Sequence, residues 1–337
     1  MISSHKTDKD NKQHGHHPDM GVRLTIDELL ALRRDAMALD LASSYRVSST
    51  LAGGYRSKFR GRGMDFDEVR PYFPGDDIRN IDWRVTARTG EAHTKLFREE
   101  RERPVFILVD QSSHLFFGSR NAFKSVVAAR AAALLIWASI TAGSRIGAVL
   151  FDDFEHQEHR PSGRRRDALS LLKKITSRHN SLLDDIENQL LPAKTDRGDN
   201  EKQQSAFAQS LSRLRRLAKP GSLIYIFSDF RYMDEDCKRH LSRLGQHNEI
   251  QAYLLTDPMD MQLPPPGHYS LTDGNSISRI NTSAKNMRQQ YLNAEQQRIE
   301  SLKHYLKQKR VLLQTLSTTD DLGIVLAAAN TPRLTVR

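Results

Sequence analysis

The sequence of 337 residues contains a single cysteine, Cys237. One thiol cannot form a disulfide within the chain, so the fold depends on its core. Long apolar segments are also missing: the longest uncharged apolar run, residues 131–144, is shorter than the roughly 20 residues that cross a bilayer. No G-x-x-x-x-G-K-[ST] motif occurs, which excludes ATP hydrolysis through a P-loop. We therefore expect a cytoplasmic protein with no transmembrane segment.

Basic residues outnumber acidic ones, with 51 Lys and Arg against 41 Asp and Glu, which gives a net charge of +10. The excess lies in three stretches of predicted helix, residues 160–178, 202–219 and 279–310. A groove for nucleic acid combines such charge with aromatic side chains, and these stretches carry few. We expect solvated helix faces here, with docking to an acidic protein or a polar lipid surface as the alternative, and no nucleic-acid partner.

The N-terminal region has two parts. Residues 1–20 are polar and histidine-rich, which predicts a disordered tail. Residues 21–46 carry leucines at near-helical spacing, and Thr25 with Glu28 offers a capping box, which predicts an N-terminal helix.

From Pro104 onward, short apolar strands alternate with helical stretches. This order is typical of crossover units and predicts an α/β fold with a mostly parallel sheet flanked by helices. We assign residues 104–330 to this domain and its C-terminal extension, and residues 47–103 to a smaller N-terminal module. The polar run 192–205 is predicted to be a loop.

Two acidic residues directly follow or end predicted strands, Asp110 after VFILV and Asp229 after LIYIFS. Ligands of open parallel sheets bind outside the carboxyl ends of the strands. These carboxylates and the hydroxyl of Ser112 are the oxygen ligands that Mg²⁺ prefers. In the alternative, the carboxylates cap helices or form buried hydrogen bonds. The sequence thus identifies a candidate Mg²⁺ site and leaves both interpretations open; no other cofactor is predicted.

The segment VFILVDQSSHLF (105–116), together with Ser228-Asp229, resembles a von Willebrand factor type A domain. In that family an Asp-x-Ser-x-Ser sequence, a later Thr and a later Asp form a metal-ion-dependent adhesion site. The resemblance assigns Asp110, Ser112 and Asp229 to such a site. His114 stands where the second Ser is expected, and no matching Thr precedes the basic helix. The metal site is therefore degenerate, because imidazole is a poor Mg²⁺ ligand.

A second resemblance runs from about residue 45 to the C-terminus. It rests on GDDIRNIDWR (75–84), TAR (86–88), FREERE (97–102) and DPMDMQLPPPGHYSLTDG (257–274). These motifs are similar to the domain-of-unknown-function family fifty-eight. That resemblance implies partnership with MoxR-type AAA+ ATPases, often beside other von Willebrand type A proteins, in chaperone-like maturation or activation of protein complexes.

The GDDIRNIDWR motif concentrates opposite charges around aromatic and apolar residues. We predict a paired structural network, with Trp83 and Ile81 pinned beneath it. The alternative is a carboxylate cluster that holds a metal for hydrolysis, although the arginines would neutralise it. The charged residues assigned to this network, as a structural element or an interaction surface with Trp83, are Asp76, Asp77, Arg79, Asp82, Arg84 and Arg88.

These observations favour a non-enzymatic adaptor that acts with a MoxR-type AAA+ ATPase. Its ligand-binding surface would lie at the carboxyl edge of the sheet, near Asp110. Two alternatives remain: a metal-dependent hydrolase that uses clustered aspartates, and a basic nucleic-acid-binding protein.

Overall fold

The structure is a computed structural model that describes residues 21–39, 64–99, 103–188, 198–272 and 277–330. The predicted tail, residues 1–20, lies outside these ranges. The chain divides into two compact units: residues 46–103 form the small unit, and the remaining residues form the large unit.

The described helices and strands are numbered here in chain order. The helices are α1 (Ile26–Ala31), α2 (Arg33–Ala36), α3 (Trp83–Thr89), α4 (Lys124–Thr141), α5 (Arg165–Glu187), α6 (Gly198–Leu217), α7 (Glu235–Gly245), α8 (Pro258–Met261), α9 (Lys285–Gln308) and α10 (Leu322–Asn330). The strands are β1 (Met64–Pro71), β2 (His93–Glu99), β3 (Val105–Asp110), β4 (Ile146–Phe151), β5 (His156–Ser162), β6 (Leu223–Ser228), β7 (Glu249–Thr256), β8 (His268–Thr272), β9 (Ile277–Asn281) and β10 (Leu312–Ser317).

The large unit is built on a six-stranded sheet with the order β10-β7-β6-β3-β4-β5. Five strands are parallel, and β5 pairs with β4 in the antiparallel direction at one edge. This confirms the predicted α/β class, with a mostly parallel sheet flanked by helices, and it is consistent with a von Willebrand type A-like fold. β3 and β6 are neighbours, so the ends of these two strands meet at one edge of the sheet.

All six residues of the central strand β3 are buried. Because successive side chains of a strand point to opposite faces, Val105, Ile107 and Val109 enter one hydrophobic layer. Phe106 and Leu108 enter the layer on the other face. A strand covered on both faces needs a continuous apolar run, which is what the sequence supplies here.

Helix α4 fills the layer on one face of the sheet. By length and composition it could cross a membrane, but 83% of it is buried inside the protein. Its many alanines allow close approach of neighbouring elements on almost every side. Helix α4 is thus a core helix of the large unit.

The helix predicted over residues 21–46 is shorter in the structure and is divided between α1 and α2. Gly21 forms a turn with φ +99°, and a Cβ there would lie 2.1 Å from the carbonyl oxygen of Asn121. This turn delays the start of the helix. The predicted cap at Thr25 is present, since its hydroxyl accepts from the amide of Glu28 at 3.2 Å. Residues 40–46 lie outside the described ranges.

His179 of α5 connects the N-terminal segment to the rest of the large unit. Its Nε2 donates to the carbonyl of Val22 at 2.9 Å, and its ring stacks on Phe116 with 4.8 Å between centroids. The ring is fully buried, and burial lowers the pKa of His179 to about 4, against an ordinary value of 6.5. The folded protein therefore holds this imidazole neutral over a pH range where the unfolded chain protonates it.

We expect His179 to destabilise the fold as the pH falls from 6.5 to about 4. The unfolded chain binds a proton in this window that the folded chain does not, so the free energy of unfolding falls by about 3 kcal/mol. Urea unfolding at a series of pH values, compared between wild type and His179→Gln, measures this. Glutamine can still donate to Val22 but does not titrate. A wild-type loss no larger than that of the variant would contradict the assignment.

Candidate functional site at the carboxyl edge of the sheet

The structure brings three of the predicted site residues together. Asp110 ends β3, Ser112 follows in the next loop, and Asp229 comes directly after the adjacent strand β6. All three are at most 3% exposed. Their proximity follows from the parallel pairing of β3 and β6.

The carboxylate of Asp110 is occupied by internal donors on both oxygens. Its Oδ1 accepts from the amide of Ser112 at 3.0 Å and from the Ser112 hydroxyl at 2.6 Å. Its Oδ2 accepts from the Ser228 hydroxyl at 2.6 Å. Burial raises the pKa of Asp110, and the nearby charge of Asp229 adds to this. Asp110 thus forms the buried hydrogen bonds that the sequence analysis kept as an alternative.

His114 contacts Asp229 directly, with 3.1 Å between Nε2 and Oδ1. Burial would lower the pKa of His114, but the charge and hydrogen bond of Asp229 outweigh it and raise that pKa. Burial likewise opposes the ionised form of Asp229, yet the His114 contact holds the pKa of Asp229 well below its usual range. The two side chains form a buried imidazole–carboxylate pair.

The guanidinium of Arg231 lies beside this pair. The amide of Arg231 donates to Asp229 Oδ1 at 3.0 Å, and Arg231 Nε lies 3.2 Å from Asp229 Oδ2. The Arg231 guanidinium also lies 3.5 Å from Glu295 of α9, and Arg298 Nη1 donates to the backbone carbonyl of Asp229 at 2.9 Å. Helix α9 thereby helps to fix the loop after β6.

Lys124, the first residue of α4, is 3% exposed and lies 2.6 Å from Asp260 Oδ2. Asp260 in turn lies 3.6 Å from Arg231, so a chain of ion pairs connects α4, α8 and the site. Sequence reasoning missed Lys124, although one lysine in an alanine-rich apolar helix is a signal for a buried partner.

The end of β4 adds another carboxylate to this edge. Asp153 Oδ2 accepts from the amide of Ser113 at 2.8 Å, which fixes the loop that carries His114. Its neighbour Asp152 pairs with Arg178 of α5 and accepts from the amide of Phe154 at 2.8 Å. The Asp152-Asp153 dipeptide directly after a predicted strand was a signal that sequence reasoning passed over.

Among the described residues, one metal-compatible group of carboxylate and imidazole ligand atoms occurs: Asp110, His114 and Asp229, all within 4.8 Å of one another. The contacts within the group do not fit Mg²⁺, which needs oxygen ligands at about 2.0–2.1 Å. Both Asp110 oxygens already accept from hydroxyls, and the His114 ring takes up one oxygen of Asp229. As arranged, these residues bind one another.

Exposed aromatic side chains lie in the loops at this edge. Phe117, in the loop after β3, is 37% exposed, and Phe154, in the loop after β4, is 55% exposed. Since β3 and β4 are adjacent, the two phenylalanines lie on neighbouring loops. Exposed aromatic residues beside a polar centre are typical of surfaces that bind proteins.

In the small unit, the aspartates of GDDIRNIDWR have separate local roles. Asp76 makes a two-pronged ion pair with Arg70, with both contacts at 2.9 Å. Asp77 accepts from the amide of Arg79 and caps the short helix Ile78–Asn80. Asp82 caps α3 by accepting from the amides of Arg84 and Val85, and lies 3.6 Å from Lys95.

The paired network predicted for this motif is corrected in two respects. Arg79, Arg84 and Arg88 are exposed and form no ion pair with other described residues, because the backbone caps and Arg70 or Lys95 take up the aspartates. Trp83 is 68% exposed rather than pinned beneath the motif. Trp83 begins α3, and its exposure leaves it available to a partner.

Comparison with known proteins places these observations in a family. The uncharacterized proteins Rv1480 of Mycobacterium tuberculosis and Mb1516 of Mycobacterium bovis are each 29% identical to this chain over 262 residues, which cover 77% of this chain and 76% of each relative. A family model described as a protein of unknown function, DUF58, matches residues 68–301. This range includes the GDDIRNIDWR motif and the site at the sheet edge, and the chain belongs to the DUF58 family.

Proposed function

We propose that this protein is a non-enzymatic adaptor that presents the carboxyl edge of its sheet to a protein partner. The observation that carries the proposal is the pair of exposed phenylalanines, Phe117 and Phe154, on neighbouring loops at the sheet edge that also carries the buried His114–Asp229 pair. Aromatic side chains, phenylalanine included, are enriched in the buried cores of protein interfaces. A polar centre held by internal contacts, at an edge with exposed aromatic side chains, suits recognition of a folded partner.

The state of the carboxylates supports a binding role over hydrolysis. A general base needs a free oxygen within reach of its substrate. Asp110 accepts from two serine hydroxyls, and Asp229 is held by His114 and Arg231. The aspartates of the small unit serve as caps and ion-pair partners. Both groups of aspartates therefore have structural contacts that a hydrolytic role would have to give up.

We propose a MoxR-type AAA+ ATPase as the partner, in chaperone-like maturation or activation of protein complexes. Support comes from the resemblance of the sequence motifs and from membership in the DUF58 family. The six-stranded sheet order supports a von Willebrand type A-like domain, and other proteins of that type are further candidate partners. In this scheme the ATPase supplies the chemistry and the adaptor supplies recognition.

The test is an affinity pull-down from the native cell, with and without Mg²⁺ and ATP, read by mass spectrometry. We expect a MoxR-type ATPase to be recovered, and recovery to fall at least about tenfold with the double substitution Phe117→Ala/Phe154→Ala. Met37→Ala is the matched control, because Met37 is 69% exposed and follows α2. Unchanged recovery of the ATPase with the double variant would show that the interface lies elsewhere on the protein. Recovery of no ATPase with folded protein would refute the adaptor proposal.

A further inference from the structure

The side chain of His114 lies among the carboxylates of the sheet edge. Its Nε2 lies 3.1 Å from Asp229 Oδ1, and its ring meets the edge of Tyr232 with 4.9 Å between centroids. The side chain is 12% exposed. The ring is therefore held by contacts on two sides, and its ligand atom lies within 4.8 Å of those of Asp110 and Asp229.

The local charge balance is met by protein side chains. Negative charge is brought to this edge by Asp110, Asp153 and Asp229, and all three act electrostatically on His114. Buried carboxylates need a paired cation. His114 and Arg231 both lie within hydrogen-bond distance of Asp229, so this carboxylate already has two side-chain partners, one of them a guanidinium.

Both oxygens of Asp110 already accept hydrogen bonds. The hydroxyls of Ser112 and Ser228 donate to the two oxygens of Asp110, each at 2.6 Å. A magnesium ion would need these oxygens at about 2.0–2.1 Å and would have to displace the imidazole from Asp229. The geometry thus favours the imidazole over a dication as the partner of the carboxylates.

We propose that the His114 side chain takes the position of the divalent cation at this edge, so that the surface is organised without metal. The degenerate motif then has a side chain in the place of a metal ion. The edge remains preformed whether or not Mg²⁺ is available, and any ligand that docks on it meets protein groups instead of an ion.

The experiment uses the full chain and Mg²⁺ alone. We compare the thermal unfolding midpoint and calorimetric titration of wild type and His114→Ser, which creates the sequence Asp-x-Ser-x-Ser. For wild type we expect no heat of binding and a midpoint that 10 mM MgCl₂ leaves unchanged. For His114→Ser we expect a lower midpoint that Mg²⁺ raises by about 5 °C. NaCl at equal ionic strength controls for screening.

Two further variants keep the result decisive. In the double variant His114→Ser/Asp229→Asn, the carboxylate that lies beside the lost imidazole ring is also removed. We expect this variant to show no Mg²⁺ response. His240→Ser, at a histidine of α7, controls for the loss of a histidine as such. If His114→Ser folds only with Mg²⁺ present, that also supports the proposal.

Mg²⁺ binding by wild type that Asp110→Asn abolishes would overturn the proposal, as would a folded His114→Ser that gains no Mg²⁺ response. The titration needs no partner protein. Its outcome is therefore independent of the pull-down that tests the adaptor function.

Discussion

Replacement of Trp137 by alanine is expected to lower the free energy of unfolding of the large unit by about 3–5 kcal/mol. Trp137 of α4 is 2% exposed, and its indole nitrogen donates to the carbonyl of Leu29 at 2.9 Å. The guanidinium of Arg33 lies 5.9 Å from the centroid of its ring. Alanine would leave a large cavity and remove a hydrogen bond between α1 and α4, which the Glu28–Arg130 ion pair also connects. Urea unfolding followed by far-UV circular dichroism measures the change.

Two variants separate the contributions to this loss. Trp137→Phe keeps most of the buried surface and removes the hydrogen bond to Leu29, for which we expect a cost of about 1–2 kcal/mol. Trp83→Ala is the matched control, because the ring of Trp83 is 68% exposed and its removal should change stability by less than about 1 kcal/mol. Faster hydrogen exchange across α1 in Trp137→Ala would show that the helix has lost its anchor. A loss below 1 kcal/mol for Trp137→Ala would contradict the packing.

The parallel strands could be predicted from the sequence because a strand that is buried on both faces has an unbroken apolar run. VFILVD and LIYIFS show this for β3 and β6. The edge strand β5, HQEHRPS, has no such run, since it is only partly covered and takes its conformation from pairing with β4. The polar run 192–205 was predicted as a loop, but α6 already begins at Gly198. Polar composition alone does not exclude a helix, and residues 192–197 lie outside the described ranges.

The candidate site could likewise be predicted only in part from the sequence. The proximity of Asp110 and Asp229 followed from one rule, that neighbouring parallel strands end at one edge. The contacts of His114 did not follow, because a motif comparison records His114 only as a missing serine. Its role depends on the direction of the ring, which Asp229 and Tyr232 determine. Glu295 and Arg298 come from α9, and only the tertiary fold brings that helix to the loop after β6.

The second large effect is expected at Lys124, where the substitution Lys124→Met should lower the free energy of unfolding by about 3–5 kcal/mol. Methionine matches the length of the lysine stem but removes the ammonium group. In the wild type, Lys124 lies 2.6 Å from the buried carboxylate of Asp260. In the variant this carboxylate would remain buried without that partner, and its other cationic neighbour, Arg231, lies 3.6 Å away. Denaturant unfolding of the purified chain measures the loss.

We expect a large loss of stability for Lys124→Met because Lys124 and Asp260 are both buried. An exposed ion pair tests this explanation. Lys238 lies 2.6 Å from Glu235, the same distance, but the Glu235 side chain is 82% exposed. Lys238→Met should therefore cost less than about 1 kcal/mol. In the double variant Lys124→Met/Asp260→Asn, the uncompensated charge is gone, so we expect about 1–3 kcal/mol to be recovered relative to the sum of the single losses. Strict additivity would mean that Lys124 stabilises α4 by packing alone, and the chain of ion pairs from α4 to Asp229 would then lose its energetic basis.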